Sequence, residues 1–405
     1  MFSREDVTME TSMCTRLKGL LVLSALLLLA VSTFCSCVDP PRDNPGDPGG
    51  SAYSEWHGTL IVDSTGDVGV YTSIALSGDT VYITYSDNSQ TVLKCARSYD
   101  RGETWPAENI TIIDSSTTPR DSSVAASGDS VYVSYYDSGD DDLCFARSDD
   151  RGETWPAADL AIIDSVGTST ATNSISLSGD SVFIAYCNTD GYDLKLAASL
   201  NNGTDWLSEN ILTIDTDAGV GPCLVSDGDV FYITYNTGSF IACAKSTDSG
   251  VTWPAGQIYT VTATDNSANW YPSIAVNGTT LYMSYYYYDN ASLYRDLMFA
   301  KSTDSGETWT VSSIDSFDNA GEYSSLAAEG DHICISYYNR TRGDLKCAIS
   351  DDGGATWTKV TVDATGDVGM YTDIAMDGDT VYISYRDNSD GNLKFARSVD
   401  GGLTW

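Results

Sequence analysis

The sequence is poor in positive charge and nearly empty of histidine. Its 405 residues hold 21 lysines and arginines against 57 aspartates and glutamates, a formal net charge of −36, with only His57 and His332 as histidines. Such a balance repels nucleic acid and anionic lipid headgroups, so polyanion-binding classes are excluded. Two distant histidines and no C-x-x-C exclude the common zinc sites and His-dependent nucleophilic triads. Ten cysteines over this length make no dense disulfide framework. Cys95, Cys243 and Cys347 recur at one position of a repeat, too far apart to pair, and read as small buried apolar residues. Cys334 and Cys347 fall on adjacent expected strands, and a cross-link between them depends on register. Apolar runs long enough for a membrane span are absent, and beyond about the first forty residues no stretch keeps a helical period.

The N-terminal segment is a different kind of sequence. Arg16 and Lys18 precede an apolar run from Leu20 to Val31 that is short for a bilayer span and suits a secretory signal. Phe34-Cys35-Ser36-Cys37 resembles a bacterial lipobox with Cys37 as the lipidated residue, although Phe34 stands where an aliphatic residue is expected. Residues 38–55, rich in Pro, Gly and Asp at the start, read as a flexible tether. The expectation is a leader over 1–37, a tether over 38–55, and an extracellular or cell-surface protein that is lipid-tethered, freely secreted or held by an uncleaved anchor.

Repetition is what the chain has in quantity. The pattern S-x-D-x-G-x-T-W occurs at residues 98–105, 148–155, 199–206, 246–253, 302–309, 350–357 and 398–405, worn only in the third copy. A spacing near fifty residues marks a repeat architecture. Around each copy the same syntax returns: a short apolar stretch such as Ser73-Ile74-Ala75-Leu76, a Gly-Asp turn, and an alternating run such as Val81-Tyr82-Ile83-Thr84-Tyr85. A second run comes next (Leu93-Lys94-Cys95-Ala96-Arg97), then the motif, then a last run (Ile110-Thr111-Ile112-Ile113). Period-two alternation rich in Val, Ile, Thr and Tyr, punctuated by Gly and Asp, predicts a four-stranded antiparallel meander, strands A to D. One meander cannot bury both faces, whereas radial stacking buries them and leaves short edges. The seventh unit stops at its motif without a strand D, while residues 56–63 match the strand D segments that come after the motif in other units. The expected fold of 56–405 is therefore all-β: a seven-bladed β-propeller closed three strands plus one by the N-terminal strand.

The motif has turn-building chemistry throughout: Gly permits a positive φ, Asp bonds nearby amides, and Trp pins the hairpin. Seven in-phase copies across 56–405 resemble the Asp-box (BNR) repeats of sialidases and other propellers. The resemblance implies that the boxes are folding elements remote from any active site.

Candidate functional residues lie on the opposite face, around the channel mouth. Aligning the units places Tyr71, Asp121, Thr172, Gly221, Tyr271, Tyr323 and Tyr371 in one ring at the start of strand A, with Trp270 beside it. Tyr71, Trp270, Tyr271, Tyr323 and Tyr371 form a sugar-stacking set, or equally a plug of core residues. A second series, Tyr85, Tyr135, Tyr186, Tyr235, Tyr285, Tyr337 and Tyr385, is present in every unit and reads as inter-blade packing. Departures from the repeat on the loop face are Arg120, Asp121, Tyr286 to Asp289, Arg295, Arg340, Arg342 and Arg386. Arg120 and Arg386 are further ligand-binding candidates, because arginines can hold a carboxylate bidentately. The resemblance to sialidases implies three arginines on a substrate carboxylate, an Asp as acid/base and a Tyr–Glu nucleophile. Arg120, Arg386 and Arg340 or Arg342, Asp121, and Tyr323 with Glu322 are the positions that can be set against these roles. The family's F/Y-R-I-P motif is absent, and Thr118-Pro119-Arg120-Asp121-Ser122 shares only its Arg. No cofactor motif is present. The near-identical loops Asp63 to Asp67 and Asp363 to Asp367, and the run Asp140-Asp141-Asp142, offer at most weak surface calcium binding. The expected function is a monomeric module binding a glycan or another extracellular polymer at the channel mouth. A sialidase-like hydrolase and a protein-docking scaffold are the alternatives.

Overall fold

The computed structural model describes residues 56–405 apart from 116–117, 166, 168–171, 189–191, 217–218, 263–266 and 290–294. The leader, the tether and Cys37 lie outside the described residues, as do the side chains of Trp270 and Asp289.

The described backbone forms seven four-stranded antiparallel sheets. In blade one the strands are Val70–Ser77, Thr80–Asp87, Val92–Ser98 and Ile110–Asp114, running outward from A to D. The seventh blade takes its outer strand from residues 58–63: Gly58–Asp63 pairs with Asn392–Ser398, Leu60 opposite Phe395. The 3+1 closure expected from the sequence is thus the observed one. Ala107–Asn109, Ala157–Asp159, Ser208–Asn210 and Ala255–Gln257 add single turns of 3-10 helix after the boxes of blades one to four. A single turn leaves no period in a sequence.

Burial explains why stacking is obligatory. Strand B of blade one is buried along its whole length, because a neighbouring sheet covers each of its faces. Outer strand Gly58–Asp63 instead alternates between half-buried and exposed over its first four residues. One apolar cluster joins Ile83, Tyr85 and Ala96 of blade one to Tyr382, Leu393 and Phe395 of blade seven, and this is where the ring closes.

The sevenfold tyrosines lie between blades. Tyr85 Oη donates to Asp63 Oδ2 at 2.7 Å, Tyr135 to Asp114 at 2.7 Å and Tyr385 to Asp363 at 2.8 Å. Tyr186, Tyr235 and Tyr337 donate in the same way to Asp164, Asp215 and Asp315. Each acceptor is the last residue of strand D of the preceding blade, or in the case of Asp164 the one before it. Lys94, Lys195, Lys346 and Lys394 add a charge to four of these pairs. Burial works to raise the Asp63 carboxyl, but hydrogen bonds from Thr65 and Tyr85 and the Lys94 charge outweigh it and hold it below the usual range. Buried pairs of this kind add little net stability, yet a one-residue slip would strand a buried charge. Asp63 and Asp363, two of the carboxylates considered for calcium, are thereby engaged inside the blade seams. Cys334 lies opposite Ile349 and Cys347 opposite Ser336. The two thiols are thus diagonal neighbours, and both are free.

Each box closes on itself. In the first, Gly102 N–H donates to Ser98 Oγ at 2.8 Å, and Thr104 donates to Asp100 through N–H at 2.9 Å and through its hydroxyl at 2.6 Å. Trp105 Nε1 donates to the Gly102 carbonyl at 3.2 Å, and its ring lies 5.0 Å from that of Phe395 in blade seven. The box therefore fastens its own hairpin to the neighbouring blade. Gly102 sits at φ +85°, and a Cβ there would meet Phe395 Cζ at 2.4 Å. Phe395 is fully buried between Trp105 and Tyr382 and cannot swing away. Gly78, in the A–B turn of the same blade, has φ +55° with nothing within 4 Å of a Cβ. Chemical denaturation of the two alanine variants separates strain from crowding. Gly78→Ala should cost about 1 kcal/mol, and Gly102→Ala about 2–4 kcal/mol because overpacking is added. Equal losses would contradict this account of the box.

Candidate functional site

The inner strands converge on the axis, and six of the seven break their pairing at the same place. Register shifts fall between Val70 and Ser73, Arg120 and Ser123, Val220 and Cys223, Trp270 and Ser273, Glu322 and Ser325, and Met370 and Asp373. At the centre of these bulges are Tyr71 (φ 54°), Asp121 (49°), Gly221 (65°), Tyr271 (53°), Tyr323 (56°) and Tyr371 (52°). A left-handed backbone is uncommon for any residue but Gly and an outlier for a bulky side chain. Bulges of this kind bend a strand and re-aim a side chain. Here they turn the ring residues into the channel mouth.

Side chains of the next blade hold the strained segments. Thr72 Oγ1 donates to the Tyr371 carbonyl at 2.5 Å, Ser122 Oγ to that of Tyr71 at 3.5 Å, and Asn173 Nδ2 to that of Asp121 at 2.5 Å. One residue further along, hydroxyls accept backbone N–H groups across the seam. Ser73 accepts from Val124 at 3.3 Å, Ser123 from Ile175 at 3.2 Å, Ser174 from Leu224 at 3.1 Å and Ser273 from Leu326 at 2.9 Å. Between blades seven and one an aspartate replaces the serine. Asp373 accepts from Ile74 N–H at 2.9 Å and from Ser325 Oγ at 2.6 Å. Sequence reasoning does not single out these seam residues. Their only signal there is a small hydroxyl two places after each ring residue, broken by Cys223 and Asp373.

The ring encloses a cavity of about 320 Å³, lined by all seven expected residues and by the seam residues beneath them. The tyrosines form one continuous arc. Ring centroids are 4.7 Å apart for Tyr71 and Tyr371, 4.7 Å for Tyr371 and Tyr323, and 5.9 Å for Tyr323 and Tyr271. Tyr271 is 44% exposed. These residues therefore border the cavity. Trp270 takes part in the same bulge, its backbone opposite Tyr286.

Asp121 completes the ring with a carboxyl. It is half-buried, and desolvation pushes it up to about 7 against the opposing charge of Arg120. Among the described residues its carboxylate has no hydrogen-bond or ion-pair partner. Arg120 is exposed and likewise without an ion-pair partner among the described residues.

The remaining candidates are held elsewhere. Arg386, buried, donates to the Val68 carbonyl at 2.8 Å and pairs with Asp67. Arg340 donates to both oxygens of Glu322 at 3.0 and 3.1 Å, with Arg295 at 3.6 Å. Tyr286 Oη, not Tyr323, donates to Glu322, at 3.2 Å. Arg342 pairs with Asp318 at 2.5 Å, and Arg295 lies over the Tyr288 ring at 5.1 Å. Two of the acids in the Asp140–Asp142 run are also engaged, Asp141 by Tyr136 and Asp142 by Ser165, both at 2.7 Å. Among the described residues no three His, Cys, Asp or Glu side chains converge as metal ligands. Arg120, Arg340 and Arg386 thus do not share one pocket.

The BNR/Asp-box repeat family model matches residues 348–359, the sixth box and its flanks. The same S-x-D-x-G-x-T-W pattern recurs once in each of the seven blades. The chain is a seven-bladed β-propeller with a BNR/Asp-box match on its sixth box. Its fold is similar to that of an ulvan lyase from a polysaccharide lyase family, solved with -[GlcA(1-4)Rha3S]- bound (TM-score 0.57, 10% identity, 86% of this chain and 96% of that one). It is also similar to the polysaccharide lyase Uly1 (TM-score 0.55, 12% identity, 92% and 98% covered). A third likeness is to the α-L-arabinofuranosidase arb93a from Fusarium graminearum (TM-score 0.50, 13% identity, 85% and 98% covered). No match was found among curated proteins.

In this propeller the boxes occupy the C–D turns, at the strand ends away from the channel mouth, so the boxes and the candidate site are segregated. That separation allows the ring to be tested without disturbing the boxes. A folded-state carboxyl raised from 3.8 to about 7 opposes folding progressively as pH rises between those values. Asp121→Asn should therefore stabilise the protein at pH 8 by on the order of 2–4 kcal/mol and leave it nearly unchanged at pH 4. The same gain at both pH values would show that the Asp121 carboxyl is not desolvated.

Proposed function

We propose that the protein is an extracellular or surface-tethered binding module that holds a glycan against the tyrosine arc of its channel mouth. The observation carrying this reading is the arc itself. Four tyrosines occupy ring positions at φ 52–56°, a conformation that costs on the order of 1–2 kcal/mol for a non-Gly residue. Blade four supplies Gly221 at the equivalent place, at φ 65°. The fold thus accepts the residue that the backbone prefers, and the tyrosines need another reason to be there. Contiguous rings bordering an opening of this size suit a sugar, whose axial hydrogens pack on aromatic faces. The fold relatives that act on polysaccharides or glycosides agree in general kind. Export rests on the apolar leader, and the tether would let the propeller stand off from a surface.

A hydrolase reading has one observation in its favour. Asp121, half protonated near neutral pH, has the poise of a general acid. Against it, Glu322 is held by Arg340 and Tyr286 rather than by Tyr323, and no Lys or Arg lines the cavity among the described residues. The docking-scaffold reading has no specific observation behind it.

A glycan array incubated with the protein, with and without calcium, and read both for bound protein and for lost terminal sugars, separates these readings. Retained binding without sugar loss supports the module; loss of terminal sugars overturns it in favour of the hydrolase, and silence on both readouts points to protein partners. On a ligand so found, Tyr271→Gly should weaken binding at least tenfold while changing stability by less than about 1 kcal/mol. Unchanged affinity, or unfolding of that variant, would return the tyrosines to a structural role.

A further inference from the structure

The charge distribution around the cavity says more about the ligand than its shape does. The lining presents four tyrosine rings and two carboxyls, Asp121 in the ring and Asp373 on the floor, and among the described residues no lysine or arginine. The arginines nearby are spent outside it: Arg340 and Arg295 on Glu322, and Arg386 on Asp67. Arg120, exposed at the rim, is without an ion-pair partner among the described residues. Asp373 is satisfied by Ser325 and by the amides of Ile74 and Ile374. Asp121 is not: its carboxylate faces the cavity with no partner among the described residues.

Aromatic faces carry a negative quadrupole and attract ammonium groups, most strongly when several faces converge out of water. A carboxylate without a partner beside such an arc completes a cation cage. A ligand carboxylate in the same place would meet Asp121 and the ring faces with a single exposed arginine to hold it. The net charge of −36 draws cations toward the surface and repels anions. A cavity of about 320 Å³, at the small end of ligand pockets, admits one sugar unit rather than a long segment.

Resting on the glycan reading above, we propose that the channel mouth selects a hexosamine unit bearing a free ammonium group, held by the cage of Tyr71, Tyr271, Tyr323, Tyr371 and Asp121, over N-acetylated and acidic sugars. The ammonium sits between the tyrosine faces and the Asp121 carboxylate, and the pyranose ring stacks on the exposed Tyr271. The titratable and charged groups around Asp121 are Tyr71 on the adjacent blade, Tyr271 across the channel and Arg120 beside it, with Tyr323, Tyr371 and Asp373 lining the same cavity. Burial raises the Tyr71 and Tyr271 hydroxyls, so they stay neutral at physiological pH. Asp121 is thus the group that changes charge there, near 7.

Titration calorimetry on the purified protein tests this with four probes: an N-trimethylated glucosamine tetramer, the N-acetylglucosamine tetramer, an oligogalacturonate tetramer and tetramethylammonium alone. The trimethylated tetramer keeps its charge at every pH. It should bind at least tenfold tighter than the acetylated one at pH 8 and lose affinity as pH falls through about 7. Asp121→Asn should remove both the preference and the pH dependence. Equal affinity for the charged and acetylated tetramers would overturn cation selection while leaving the glycan reading intact. Tetramethylammonium binding as tightly as the charged tetramer would keep the cage and overturn the glycan reading. Tightest binding of the galacturonate would overturn the proposal, and no binding to any probe would overturn both.

Discussion

The hydrogen-bonded seam around the axis is the constraint on which the rest of the structure depends. Its bonds run from one blade to the next, chiefly between a side chain two places after a ring residue and a backbone N–H of the neighbouring inner strand. At the closure between blades seven and one the acceptor is the Asp373 carboxylate, which reaches Ile74 and Ser325 together. A bulged backbone at positive φ is unstable alone. It persists where its surroundings over-determine it, and here Thr72, Ser122 and Asn173 take up the ring carbonyls that the bulges expose. The seam therefore turns an unfavourable conformation into a fixed direction for the ring side chains.

Symmetry and its violations divide the labour. The boxes and the Tyr–Asp pairs repeat around the ring because blade-to-blade contacts repeat, and a repeated contact needs a repeated residue. The channel mouth does not obey this rule. Three blades place Asp121, Thr172 and Gly221 where the other four place tyrosines, so the cavity has an aromatic side and a polar side. A one-sided lining orients a ligand, whereas seven identical residues would accept it in any rotation. The Glu322 cluster, on blades five and six only, extends the asymmetry outward from the mouth.

The features readable from the sequence are those that recur with a period. Boxes, strand alternation, the 3+1 closure and the ring from Tyr71 to Tyr371 all come from aligning seven units, because each unit solves the same packing problem. The unreadable features depend on backbone conformation or on pairing between non-repeating residues. Nothing in Val70-Tyr71-Thr72 signals a left-handed tyrosine, since the strain is imposed by the seam from the next blade. Sequence alone groups Arg386 with arginines free to hold a ligand, yet Asp67, more than three hundred residues away in sequence, takes it up. Glu322 is adjacent in sequence to Tyr323, but its carboxylate answers to Arg340 and to Tyr286 in the neighbouring blade. In a closed ring the nearest neighbour in space is often a unit away in sequence, and pairs of that kind leave no local pattern.

The central claim is that the strained tyrosines form a preorganised ligand surface. A crystal structure of the protein with a bound oligosaccharide tests it most directly. The account predicts a sugar ring stacked on Tyr271, with the bulges still left-handed and the arc spacings unchanged. A ligand bound outside the channel mouth, or bulges that relax to extended backbone on binding, would contradict it.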